Sequence, residues 1–283
     1  MTFIENYENY VRLIEQSLEN LDFSINYKND VSEGCKYAIL DQGKRIRPVL
    51  LLEFCNMFSQ DFNDAIEFAT ALELIHNYSL VHDDLPSMDN DKYRRGKLTV
   101  HAKYGEDIGV LVGDTLLNKA YEVLFKDISL SEDKMKNRKI SAARYLSENS
   151  GIYGMIGGQV YDIKNRFNTI EELVQMYDKK TCALIRTACV CGAYIGGASD
   201  EQIELSEEFG RYLGLSFQIK DDLLDLEQDE KIGKVTYVSL TSKEEAENKV
   251  VYYSNKAIEA LDKLNLEDNF CREFLKYLID REI

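Results

Sequence analysis

An all-α fold follows from three features of the sequence. Its long segments repeat apolar residues at three- and four-residue steps, the spacing that lines one face of a helix. No stretch keeps the period-two alternation of a half-buried strand. Only two prolines, Pro48 and Pro86, interrupt the chain, and no Pro-, Gly- or Ser-rich linker divides it, so residues 1–283 are expected to form one domain.

The first helix is marked by Ile4, Tyr7, Val11, Ile14, Leu18 and Leu21. A polar stretch, 24–33, separates it from helical sequence through Tyr37, Ala38, Ile39 and Leu40. Residues 41–48 then place Lys44, Arg45 and Arg47 before Pro48, which suits the first turn of a helix over 49–58, where its missing N–H is not needed. Three cations at a helix N-terminus make a good phosphate site. A largely buried helix over 65–81 carries Ile66, Ala69, Leu72 and Ile75. The next, over 108–125, contains Gly113, which costs about 1 kcal/mol against alanine and so implies close packing. Helices over 142–162, with Gly151, Gly154, Gly157 and Gly158, then 170–195, 204–226, 242–264 and 269–281 complete an expected set of about ten or slightly more.

Composition narrows the function. Apolar residues make up 45% and charged residues 30%, as in a globular protein. No run is long enough to span a membrane, and the N-terminus lacks the basic and apolar regions of a signal peptide, so a cytoplasmic protein with no stable membrane association is expected. The net charge of −16 disfavours a nucleic-acid surface and requires local cations for any anionic substrate. Six cysteines without CxxC spacing read as reduced, buried small residues.

Two acidic stretches carry the chemistry. Residues 83–96 open with Asp83-Asp84, continue through Asp89 and close with Arg94-Arg95-Gly96. They follow a buried helix, and carboxylates at a helix C-terminus are unfavourable by a few tenths to roughly 1 kcal/mol each, so something positive belongs beside them. Asp221, Asp222 and Asp225 also end an apolar helix, with Asp221 and Asp225 on one face. The two stretches are expected as metal-binding walls of one cavity, with Lys44, Arg47, Arg94, Arg95, Lys180 and Lys234 at its rim. Six aspartates match roughly three Mg²⁺, which take one or two carboxylates each and complete their shell with water and phosphate. A diphosphate bridging such walls becomes a good leaving group. The Thr181 hydroxyl and the Gln218 carbonyl are candidates to face the allylic cation left behind.

The chain resembles the polyprenyl (isoprenyl) diphosphate synthases, nearest their bacterial farnesyl type. The resemblance rests on Gly43-Lys44-Arg45-Ile46-Arg47-Pro48, on His76-Asn77-Tyr78-Ser79-Leu80-Val81-His82 before the first aspartates, and on Arg94-Arg95-Gly96. Gly157-Gly158-Gln159, Lys180-Thr181 and residues 217–225 complete it. It implies an isoprenoid-synthase-type helical bundle around a central cavity, assembled as a homodimer. The implied catalytic residues are Asp83, Asp84, Asp89, Lys180, Thr181, Gln218 and Asp221. Metal would rest foremost on Asp83, Asp89 and Asp221, supported by Asp84, Asp222 and Asp225.

Isopentenyl diphosphate would be held by Lys44, Arg47, His76 and Arg95, and the allylic diphosphate by Arg94, Lys180, Thr181, Gln218 and Lys234. The implied reaction is ionisation, head-to-tail condensation and proton loss to the released diphosphate. Tyr78 and Ser79 fall where the family sets product length, and a ring just over one turn before Asp83 points down the cavity to favour farnesyl product. His82 and His101 are left as structural. The chain departs from the family pattern at Gln42 and Asn90 and in a shorter loop after Asp225, which carries one Gly-Lys element and leaves the role of Lys234 open. Alternatives are a geranyl or geranylgeranyl synthase, a terpene cyclase, which would not need Lys44 and Arg47, or a non-catalytic partner subunit, which would not need both aspartate sets.

Overall fold

The structure, a computed structural model, describes residues 2–24, 29–40, 43–165, 167–266 and 269–280; Gln42 lies outside them. Packing divides the chain into two compact units, Met1–Leu52 with Asn63–Lys136, and Glu53–Phe62 with Asn137–Ile283.

The first unit opens with α1 (Phe3–Glu19), whose Thr2 and Glu5 exchange side-chain and backbone hydrogen bonds in a capping box. Asn29 caps α2 (Asp30–Ile39) through the Val31 N–H. The helix α3 (Ile46–Ser59) holds Pro48 in its first turn and contributes residues to both units. At the centre of the first unit, α4 (Ile66–Asp83) is buried nearly all round, with Phe68, Leu72 and Ile75 fully enclosed. α1 lies along α4, where the Thr70 hydroxyl donates to Ser17 Oγ at 2.7 Å.

Beyond α4 the chain makes a hairpin the sequence did not announce: β1 (Tyr93–Arg94) pairs with β2 (Lys97–Leu98). Two residues per strand are too few for periodicity to register. The signal lay in the turn, where Arg95 and Gly96 both take positive φ (50° and 78°), as a tight two-residue hairpin requires. Asn90 also has positive φ, 58°, and asparagine tolerates that conformation far better than most residues. The short α5 (Val100–Tyr104) leads into α6 (Glu106–Leu130), which packs along α4. Gly113 is the point of approach, as expected, but it meets a ring: a Cβ there would lie 2.0 Å from His82 Nε2.

The second unit contains most of α7 (Asp133–Ser150), then α8 (Met155–Lys164), α9 (Ile170–Lys180), α10 (Cys182–Gly196) and α11 (Asp200–Leu224). After these come α12 (Leu226–Ile232), α13 (Tyr237–Leu240), α14 (Lys243–Leu264) and α15 (Phe270–Ile279). α11 is flanked by α10 and α14. A core of Leu173, Tyr177, Leu215, Ile219, Tyr237 and Val250 ties α9, α11, α13 and α14 together. All six cysteines are buried and unbridged.

The all-α expectation holds. Fifteen α-helices stand among the described residues, more than the ten or so anticipated, because several are short and two expected helices are divided. The helix expected over 142–162 turns at Gly151-Ile152-Tyr153-Gly154, where the Gly154 N–H returns to the Gly151 carbonyl at 3.1 Å. The one expected over 170–195 is interrupted at Thr181 between α9 and α10.

Gly158 shows how tightly α8 is held. A Cβ there would sit 2.3 Å from the Lys180 nitrogen and 2.7 Å from its Cα, main-chain atoms that no rotamer change can move. G158A gains about 1 kcal/mol of helix propensity but forces backbones apart, which typically costs about 1–3 kcal/mol or more. The variant is expected to be net destabilised, with a lower urea midpoint at unchanged slope.

Candidate active site

In the first unit, α4 delivers Asp83 and Asp84 at its C-terminal end. The chain then loops through Pro86 and returns: the Asn90 N–H bonds the Leu85 carbonyl at 3.1 Å, and the Asp89 N–H bonds the Asp83 carbonyl at 2.9 Å. In a continuing helix the residue four positions on would make that bond. The residues between are therefore bulged out, and Asp89 is brought back against Asp83.

Asp84 is turned the other way. Only 4% exposed, it accepts from Arg94 Nη2 at 2.7 Å and Arg94 Nε at 2.9 Å. Burial pushes its carboxyl above the ordinary range, and the guanidinium fork pulls it back. The positive partner anticipated beside these acids is thus supplied by the hairpin. In this structure the oxygens of Asp84, expected as a supporting metal ligand, face Arg94.

Of the three cations before Pro48, Arg45 serves the interior, bonding Glu73 at 2.8 Å and the Ile39 carbonyl at 2.7 Å. Arg47 Nη1 lies 3.2 Å from His76 Nε2. A guanidinium only donates, so Nε2 accepts and the ring proton sits on Nδ1. Part of the ring is open, but burial, together with Arg47, Arg95, Arg94 and Arg45, holds His76 well below the usual histidine range. Arg95 joins this group, its Nη1 2.9 Å from where a Cβ on Gly43 would stand, and the Lys44 carbonyl accepts from the Tyr7 hydroxyl. Arg47, His76 and Arg95 are therefore gathered around the Gly43-Lys44 turn. Tyr78 is buried with its ring edge-on to His82, and burial, Tyr121 and Asp83 push its phenol up to about 12. Ser79 spends its hydroxyl on the His76 carbonyl at 2.8 Å. His82 and His101 each bond a main-chain carbonyl, Val110 and Asp91.

The second unit carries the other cluster. Asp221 and Asp225 stand one turn apart, the Asp225 N–H bonding the Asp221 carbonyl at 2.9 Å. Lys180 pairs with Asp162 of α8. The Thr181 hydroxyl donates to Gln218 Oε1 at 2.6 Å, and Gln218 Nε2 reaches Asp222 at 3.2 Å. Asp222, expected as a supporting metal ligand, is 1% exposed and also accepts from the Tyr177 hydroxyl (2.5 Å) and the Tyr237 N–H (2.9 Å). Burial pushes its carboxyl up, and these three donors draw it back. Protein donors thus occupy both of its oxygens.

Lys234, left open by the shortened loop, is carried into this cluster. Its amine lies 3.6 Å from Asp229; burial works against its charge, yet Asp229, Asp222 and Asp162 hold it above the ordinary ammonium range. Gly233, in the left-handed conformation at the end of α12, turns the chain, and Asn165 clasps it with bonds to the Gly233 carbonyl and the Val235 N–H.

Sequence reasoning missed Asp162, Tyr177, Asp229 and Asn165. Asp162 had a signal, lying one turn after Gln159 beside the paired glycines. Gln159 itself is 9% exposed with both carboxamide atoms lacking a hydrogen-bond partner.

The polyprenyl synthetase family model matches residues 28–274. The chain belongs to the polyprenyl synthetase family. This polyprenyl synthetase is 34% identical to farnesyl diphosphate synthase of Bacillus subtilis over 96% of its own length and 95% of the relative's. To the Micrococcus luteus farnesyl diphosphate synthase it is 36% identical, covering 96% of each. Its fold matches the crystal structure of an FPP/GFPP synthase from Zymomonas mobilis with a TM-score of 0.88, at 32% identity over 98% of both chains.

His76 makes the polyprenyl synthetase sensitive to acid. It is neutral when folded and titrates near 6.5 when unfolded, so the unfolded chain binds more protons at low pH and stability is lost as pH falls below about 6.5. H76Q is expected to lose less stability than the wild type between about pH 7.5 and 5.5, measured by urea midpoints.

Proposed function

We propose that this polyprenyl synthetase condenses isopentenyl diphosphate head-to-tail with dimethylallyl or geranyl diphosphate, in the presence of Mg²⁺, to give mainly farnesyl diphosphate. The observation that carries the reading is the pairing of carboxylates at two helix ends with nearby cations: Asp83, bonded through its carbonyl by Asp89, near Arg94, and Asp221 and Asp225 in the unit that holds Lys180 and Lys234.

The donor set suits magnesium. Among the described residues no three acidic, histidine or cysteine side chains form a ready-made cage. Mg²⁺ needs no such cage; it takes one or two carboxylates and fills its octahedron with water and substrate phosphate. The unsatisfied amide of Gln159 also suits a site completed by bound molecules, because a buried carboxamide left unpaired costs about 1–3 kcal/mol per group. Asp83, Asp89 and Asp221, with Asp225, would hold the metal, and these four carboxylates together with the charge of a bound diphosphate would be matched by about three ions. Bound there, Mg²⁺ would offset the charge that the diphosphate gains as its C–O bond breaks.

The chain's own groups do the remaining work. Arg94, Lys180 and Lys234 bind the allylic diphosphate, with Lys180 and Lys234 exchanging Asp162 and Asp229 for phosphate oxygens. Lys44, Arg47 and Arg95 bind the isopentenyl diphosphate, to which neutral His76 adds its Nδ1–H as a hydrogen-bond donor and no charge. Thr181 Oγ and Gln218 Oε1 turn negative dipole ends toward the allylic carbon as it becomes cationic, and apolar helix faces keep water from quenching it. The isopentenyl double bond attacks that carbon, a C–C bond replaces the broken C–O bond, and diphosphate departs with the proton lost from the product. Tyr78, with Ser79 beside it, limits the length of the growing chain.

Residues 1–283 are read as one functional domain working in the cytoplasm as a homodimer. Ile156, Val160 and Ile163 on one face of α8, each at least 44% exposed, suit association with a second copy. Among the described residues, no helix is long and apolar enough to cross a membrane.

Incubation with Mg²⁺, isopentenyl diphosphate and either dimethylallyl or geranyl diphosphate should yield C15 diphosphate, detected by chromatography after dephosphorylation; no product from either starter would favour a non-catalytic subunit. D83A and D221A should each lower kcat by about a hundredfold or more while leaving the fold intact by circular dichroism. Y78A removes a ring just over one turn before Asp83 and should shift the product toward longer chains. An unchanged product distribution in Y78A would remove Tyr78 from the chain-length role.

A further inference from the structure

The Asp222 carboxylate sits where three helices meet. It accepts from Tyr177 of α9 and Gln218 of α11, and from the main-chain N–H of Tyr237 at the start of α13. Through Gln218 it reaches Thr181. Tyr177 reaches the same loop directly, since its hydroxyl oxygen lies 3.2 Å from the Tyr237 nitrogen. With 1% of its surface exposed, Asp222 meets solvent and ligands only through these neighbours.

We propose that Asp222 is a positioning residue with two separable duties: it fixes which end of the Gln218 amide faces Thr181, and it docks the shortened loop that carries Lys234. The catalytic meaning of both duties rests on the prenyl-transfer reading above.

The first duty follows from donor and acceptor counting. An ionised carboxylate only accepts, so the Gln218 amide must turn its NH₂ to Asp222. Its oxygen is then aimed at Thr181, whose hydroxyl must donate to it, and the negative ends of both dipoles are set in one arrangement. Were the amide reversed, an N–H would point toward Thr181 and the local dipole would change sign. The second duty follows from chain geometry. Tyr237 stands three residues after Lys234, and α12 ends at Gly233, so the bond from the Tyr237 N–H anchors the far side of the segment on which the lysine is carried. Asn165 holds its near side through Gly233 and Val235. In a loop with one Gly-Lys element, these bonds determine where that ammonium lies.

Two variants separate the duties. D222N keeps shape and volume, and its side-chain oxygen can still receive Tyr177 and Tyr237. Its new NH₂ must then face Gln218, forcing that amide to reverse. Y177F removes one hydroxyl and leaves the contact between Asp222 and Gln218 in place. The experiment measures hydrogen exchange of the Tyr237 amide in the metal-free protein, together with kcat, KM for each substrate and the Mg²⁺ concentration for half-activation.

D222N should lower kcat about 10- to 100-fold, the usual effect of losing a supporting hydrogen-bond partner, with KM and Mg²⁺ half-activation within about twofold of wild type. Y177F should speed Tyr237 exchange about fivefold, the factor expected for one lost hydrogen bond, while keeping kcat within about threefold. A rise in the Mg²⁺ needed by D222N at near-normal kcat would make Asp222 a metal ligand and overturn the proposal. D222A removes the acceptor that D222N and Y177F both leave in place, and unchanged Tyr237 exchange in that variant would overturn loop docking by Asp222. Wild-type protein that forms no product would overturn the prenyl-transfer reading instead, and the exchange measurement would still judge the clasp.

Discussion

Burying a carboxylate is tolerated only when donors replace the water it gives up, and this constraint organises both acidic motifs. Each opens with two adjacent aspartates at or near a helix C-terminus, where the backbone already presents unpaired carbonyls and a partial negative charge. The second aspartate of each pair is enclosed, Asp84 at 4% exposure and Asp222 at 1%. One is neutralised by the fork of Arg94, the other by a hydroxyl, an amide and a main-chain N–H. Removing Arg94 would strand the buried Asp84 charge, and each donor lost from Asp222 would leave that carboxylate less well satisfied. The elements that carry them, the β1–β2 hairpin and the Tyr237 turn, are therefore tied to the motifs they serve.

The same constraint accounts for the lysines. Lys180 and Lys234 each lean on a carboxylate outside the recognised motifs, Asp162 and Asp229. Under the proposed prenyl-transfer reading, a substrate phosphate would displace those carboxylates, so the gain on binding would be the difference between two ion pairs, a difference that would favour a multiply charged diphosphate over a singly charged competitor. In a chain of net charge −16, pairing the lysines this way also keeps local cations together rather than spread over the surface.

Much of this was legible in the sequence because helices announce themselves locally. The spacing of Ile4 to Leu21 and of Ile66 to Val81 is enough to place α1 and α4, and the position of Asp83 at the end of a buried helix follows at once. What stayed hidden was set by contacts distant in sequence or by turns too short to show a period. Arg95-Gly96 is a two-residue turn with positive φ at both positions, and nothing in its flanks alternates long enough to announce strands. Arg45 looks identical to Arg47 in a basic run, yet Glu73, on another helix, draws it inward. Two expected helices were divided because a helical period continues in register across Gly151–Gly154 and across Thr181, while the hydrogen bonds do not.

The candidate site divides along the same line. Residue identities came from motifs, whereas residue duties came from who touches whom. Asp83 and Asp84 are neighbours with identical side chains, and position alone cannot say that one is held by its backbone next to Asp89 while the other is clamped by Arg94. His76 reads as one more polar group among cations until the Arg47 contact shows that its ring must accept, which fixes both its tautomer and its lack of charge. The shortened loop is the sharpest case. Deleting residues after Asp225 appears in sequence as a loss, but Gly233 turns the chain, Asn165 and Asp222 anchor it on either side, and Lys234 is returned to the acidic cluster by bonds that length cannot reveal. A loop need only be long enough to reach its anchors, and once its ends are pinned, each further residue mainly adds conformational entropy that folding must overcome.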